Sequence, residues 1–123
     1  QLERVLACYR PSAWRLCVAT DEIEFIDWAV ARYGERVFFQ PNAPRLSARD
    51  AVASKHGTHK NPALPTFLKG ETAVLDCLLL SRCRHLIKNR SSLSDASLAF
   101  NPALAWTFVL GDDSIYNSDD PVG

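Results

Sequence analysis

The sequence predicts an α/β fold, a three-layer sandwich with a mostly parallel sheet of about four strands. Three observations carry this. Short apolar runs (RLCVA, VFFQ, HLIK and WTFVL) alternate with segments of helical period. The intervening helices are long enough for crossover connections between parallel strands. Strands that alternate with helices imply a sheet covered on both faces.

The elements follow in order. Leu2 to Tyr9 places Leu2, Val5, Leu6 and Tyr9 at helical spacing, and Pro11-Ser12 ends the helix. Arg15 to Ala19 reads as a buried strand. Thr20-Asp21 opens a helix to about Tyr33, with Ile23, Ile26, Val30 and Tyr33 on one face. Acids lie in its first turn and Gly34 just past its end, as the helix dipole and C-cap geometry favour. Val37 to Gln40 is a second strand. Residues 41–66 form a long loop with a basic bias (Arg45, Arg49, Lys55 and Lys60), and a short helix fits near Ser47–Lys55. The plain reading is a solvated loop; the sharper one is a flap that helps neutralise a diphosphate. A helix starting near Phe67 or Glu71 runs to Arg82, then come a strand at His85–Lys88 and a helix from Ser92 to Phe100 with Leu93, Ala96 and Phe100 on one side. Trp106 to Leu110 is the fourth strand. The domain is thus residues 1–110, and residues 111–123 are an acidic, turn-rich tail expected to end loosely. The expected sheet order is 2-1-3-4. Its switch point would bring the loops after the first and third strands, Thr20-Asp21 and Asn89 to Ser92, to one crevice.

Composition removes several classes of function. The 123 residues carry no net charge, which argues against a nucleic-acid surface. No apolar run approaches the roughly 20 residues that span a bilayer. The chain contains no methionine and begins at Gln1, so it is expected to be a processed product or a segment of a longer protein. Cys8, Cys17, Cys77 and Cys83 show no CxxC spacing and read as free thiols, with Cys17 and Cys77 buried. The His56/His59 pair lacks acidic or cysteine partners and reads as polar loop, so no metal is expected.

Gly70 to Ser94 holds the candidate chemistry. Ala73 to Leu80 is apolar on nearly every side, as in a buried helix, yet it carries Asp76. A buried carboxylate needs a partner such as Arg82 or Lys69, or a ligand such as the N–H edge of a base. Downstream, Ser92 with Asp95 three residues on resembles a capping box, and Lys88 and Arg90 read as solvated basic residues. The same place, a strand end and a helix start, is where nucleotide phosphates bind. Spacing alone favours capping. No GxGxxG or Walker pattern is present.

The segments VATDEIEF, RYGERVFF and AVLDCLLLSRCRHLIKNRSSLS resemble the carboxyl-terminal, donor-binding lobe of the α1,6-fucosyltransferase and protein O-fucosyltransferase-like superfamily. The likeness covers about Arg15 to Phe100, and the separation of Asp76 from Ser91-Ser92 is its most specific part. It implies a Rossmann-like lobe of a GT-B glycosyltransferase. Asp76 would take the guanine of GDP-fucose or a similar nucleotide sugar. Ser92, with Ser91 and the Leu93 backbone N–H, would hold the β-phosphate, and Thr20 and Asp21 would lie near the nucleotide. The parent protein would transfer fucose, with inversion and without a metal, to a glycan or protein hydroxyl presented by an N-terminal lobe. The family's arginine-bearing donor motif lies upstream of the matching region, and Lys88-Asn89-Arg90 replaces its smaller approach to the serines. The segment alone is therefore expected to be inactive. A eukaryotic member would face the Golgi or endoplasmic-reticulum lumen, and a bacterial one the cytoplasm. The rival reading is a non-catalytic α/β binding or interaction domain that keeps the fold without the donor.

Overall fold

The computed structural model describes residues 2–10, 12–47, 50, 61–109 and 115–117. Arg49, Lys55, Lys60, His56, His59, most of the helix expected near Ser47–Lys55, and the acidic pairs Asp112-Asp113 and Asp119-Asp120 lie outside the described residues. The fold is mixed α/β, and the chain divides into two compact units, residues 15–76 and residues 1–14 with 77–123.

In the unit formed by residues 15–76, β1 (Leu16–Cys17) pairs in parallel with β2 (Val37–Phe38), with Leu16 opposite Val37 and Cys17 opposite Phe38. Helix α2 (Ile23–Tyr33) connects them. Its inward residues are Ile26 and Ala29, which form the core with Val18 and pack against Leu16, Val37 and Phe39. The face therefore differs from the one expected: Ile23 and Val30 are exposed. Ala29 is fully buried, and with no side chain beyond Cβ it lets the helix approach the strands closely. The helix also starts later than Thr20-Asp21. Leu46 donates to Asp21 O (2.7 Å) and Ile23 donates to Leu46 O (3.1 Å), so the returning loop holds Glu22 extended. Gly34 ends the helix as expected, at φ 59°, donating to Val30 O. That backbone region is open to little besides glycine.

In the other unit, α1 (Leu2–Ala7) leads to a turn that brings the Tyr9 hydroxyl 3.4 Å from His85 Nδ1. Strand β3 (His85–Lys88) pairs in parallel with β4 (Ala105–Val109). Helix α4 (Ser92–Phe100) connects the two. β5 (Ile115–Asn117) pairs antiparallel along β4, so part of the tail expected to end loosely is a sheet edge. The four expected strands thus appear as two parallel pairs, β1–β2 and β3–β4, in two sheets.

The inward residues of α4 are Ser94 and Ser97; Phe100, expected on the packed side, is exposed. Small serines fit a close helix approach, and their hydroxyls are satisfied within the helix. Ser94 Oγ donates to Ser91 O (2.8 Å) and Ser97 Oγ to Leu93 O (3.0 Å).

Helix α3 (Thr66–Ser81) contributes Thr66–Asp76 to one unit and Cys77–Ser81 to the other. It begins directly after Pro65, whose fixed φ and absent N–H suit a helix entry. Contrary to the expectation of a helix buried all round, only Thr72, Cys77, Leu80 and Ser81 are buried. Phe67, Val74, Leu75, Leu78 and Leu79 are exposed. The four cysteines are free thiols; Cys77 is buried, Cys17 only half-buried.

Candidate functional site

The six residues singled out from the sequence fall into two groups, Thr20, Asp21 and Asp76 in one unit and Ser91, Ser92 and Leu93 in the other.

The first group gathers at the carboxyl ends of β1 and β2. Thr20 Oγ1 accepts the Glu22 N–H (3.2 Å), turning the chain from β1 towards α2. Asp21 holds the returning loop through its carbonyl. Asp76 is half-buried, and its partner is neither Arg82 nor Lys69. It is Gln40, just past the end of β2, whose Nε2 donates to Asp76 Oδ1 and to Thr72 O (2.9 Å). Lys69 instead donates to Asn61 O (3.1 Å). Arg45 folds over the Phe39 ring at 5.0 Å and donates to Gln40 O (2.8 Å) and Ala43 O (3.1 Å). Its buried Nε has no hydrogen-bond partner among the described residues.

Burial pushes the Asp76 carboxyl above its ordinary pKa. The Gln40 hydrogen bond and the Arg45 charge pull it down, while the Asp21 charge adds to the rise. Loss of hydration outweighs the two favourable partners. Gln40 and Arg45 are the site residues that sequence reasoning passed over. The available signal was position: Gln40 lies just past the carboxyl end of a parallel strand, where ligands in α/β folds collect.

Of the second group, Ser91 and Ser92 line an open cavity of about 410 Å3 with Lys88, Arg90, Asp95 and Phe108, and Leu93 is not part of its lining. Alternation along β3 places Leu86 and Lys88 on the buried side. Lys88, expected in solvent, is buried: its ammonium lies 5.7 Å from the centre of the Trp106 ring and 5.4 Å from that of Phe108, and it pairs with Asp95. Its stem packs among apolar groups while the charged end reaches a carboxylate and two ring faces. Asp95 is therefore engaged by Lys88, and the expected Ser92–Asp95 capping box does not form. The N-cap is Ser91, extended at φ −150° and ψ 130°, and its side chain makes no capping hydrogen bond. Ser92 is the exposed first residue of α4. Ser94, also unremarked in the sequence, braces the approach by donating to Ser91 O and, at 3.3 Å, to Asn89 O. The Leu93 carbonyl accepts from Ser97 Oγ and Cys77 Sγ.

An uncapped helix start beside a guanidinium and an ammonium attracts anions. The half-buried carboxylate attracts N–H donors or cations. Among the described residues no three His, Cys, Asp or Glu side chains gather as a metal site, and no helix is long and apolar enough to cross a membrane. No family model, no curated protein and no solved structure matches this chain.

Proposed function

We propose that the chain is the donor-binding, Rossmann-like half of a fucosyltransferase-like GT-B enzyme, and that it binds a GDP-sugar. The observation that carries this reading is the cleft after β3, where Lys88, Arg90, Ser91 and Ser92 surround the start of α4. Arg90, Lys88 once released from Asp95, two hydroxyls and an uncapped helix start suit a diphosphate. Base recognition is assigned to Asp76, a half-buried carboxylate whose Oδ1 is held by the neutral amide of Gln40. In the reaction assigned to the parent protein, an acceptor hydroxyl oxygen bonds to the anomeric carbon as the bond to the β-phosphate oxygen breaks. GDP departs with that electron pair, and the hydroxyl proton passes to a base outside this segment. The part assigned to this chain is to hold the donor and stabilise the departing diphosphate.

Calorimetry with GDP, ADP and UDP tests the reading. Saturable binding is expected, strongest for GDP and weakened about tenfold by Arg90→Ala, the loss of one charge-assisted contact. Absence of binding to all three nucleotides would overturn it. The rival, a non-catalytic interaction domain, is favoured by the exposed apolar side chains of α3 (Phe67, Val74, Leu75, Leu78 and Leu79). That reading predicts no nucleotide binding, together with a molar mass in solution that rises with concentration.

A further inference from the structure

The Asp76 carboxylate has a neighbour that controls it. The side-chain nitrogen of Gln40 carries two hydrogens, and both of its partners, Thr72 O and Asp76 Oδ1, are acceptors. The nitrogen and not the oxygen must therefore face them, and both hydrogens are spent. Thr72 and Asp76 are four residues apart on α3, so they lie on one face and one amide bridges a single helical turn. Arg45 is placed differently. Its terminal nitrogens donate to the backbone carbonyls of Gln40 and Ala43, and its charge acts on Asp76 through space. Asp21 is the other charged group that bears on the carboxylate.

A direct, forked arginine pair would occupy both carboxylate oxygens and neutralise them. A neutral amide orients one oxygen and leaves the negative charge in place. We propose that Gln40 is the positioning residue of Asp76, holding Oδ1 against the end of β2 so that Oδ2 receives the N–H donors of a ligand. The inference rests on the reading of Asp76 as the base-recognition group. Guanine offers two adjacent N–H donors for it, and a base edge without them is excluded by the unpaired acceptor it would leave.

The test joins two measurements on the protein and on two variants of similar shape, Gln40→Met and Gln40→Glu. Carbon-13 NMR follows the titration of the Asp76 carboxyl in the free protein, and calorimetry follows GDP and ADP binding across pH. Gln40→Met removes both donors. It is expected to move the Asp76 midpoint upward, to weaken GDP about tenfold at pH 7, and to leave ADP unchanged. The pH below which GDP affinity falls should move upward with the carboxyl midpoint. Gln40→Glu sets a second carboxylate beside the first and should move the midpoint higher still. An unmoved midpoint in both variants overturns the positioning role. If the midpoint moves while the GDP-to-ADP ratio stays that of the wild-type protein, Gln40 controls the carboxylate but the base-recognition reading fails, and the ligand half of the inference fails with it. Thermal melts check that each variant is folded, and either variant alone suffices for the readout.

Discussion

Lys88 in one unit and Asp76 in the other are charged side chains withdrawn from water, and the two are compensated in opposite ways. Lys88 is buried but paired with a carboxylate and flanked by two aromatic rings. Asp76 is only half-buried, yet its direct partner is a neutral amide and its carboxyl is pushed upward. Burial penalises both charges; a carboxylate faces Lys88, whereas at Asp76 the Gln40 hydrogen bond and the Arg45 charge offset the penalty only in part. On the proposed reading, Lys88 would exchange Asp95 for a phosphate, while Asp76 would gain donors without giving one up. The cation would then supply affinity for the diphosphate and the carboxylate discrimination between bases.

The largest effect is expected at Asp76. Asp76→Ala should remove any preference for GDP over ADP and lower GDP affinity on the order of tenfold to a hundredfold, the range for hydrogen bonds to a charged group. Competition calorimetry reads both. Lys88→Met comes next. It keeps the apolar stem and leaves Asp95 in solvent, so the stability loss in urea unfolding should be about 1 kcal/mol. Affinity should fall about tenfold for GDP and ADP alike. If Lys88→Met altered base preference instead, the division of roles between the two charges would break down.

A smaller change is expected for Asp76→Asn in the absence of ligand, read as stability against pH. A carboxyl raised on folding favours the folded state below its unfolded pKa, and that contribution is lost as pH rises through the folded value. The wild-type protein should therefore lose stability relative to Asp76→Asn between acidic and neutral pH, and the opposite slope would show the carboxylate to be fully compensated. Smallest is Asp95→Asn. The partner is 65% exposed, so its loss should cost under about 1 kcal/mol. Diphosphate affinity should rise a few-fold, because Lys88 no longer has to leave a carboxylate.

Local signals in the sequence were enough for much of the fold. His85–Lys88 stands where its compact apolar run places it, and Gly34 closes α2 as its C-cap position implies. What the sequence hid was which face of each helix turns inward. Helix α3 is apolar on so many sides that no polar stripe marks its outside, and α4 packs through serines whose hydroxyls are satisfied internally. The site was legible as residue types but not as partners. Gln40 and Asp76 are 36 positions apart, and Asp95 is drawn from its expected capping role by Lys88, which strand alternation turns inward. Such pairings depend on tertiary contacts, which a local window does not contain.

The central proposal is that this chain binds a guanine nucleotide. Amide NMR spectra recorded during titration with GDP, and in parallel with ADP, test it most directly. The account predicts saturable shifts at Ser91 and Ser92 with both nucleotides, and a shift at Asp76 with GDP that ADP does not produce. Identical spectra for the two nucleotides, or no saturable shift at Ser92, would contradict it.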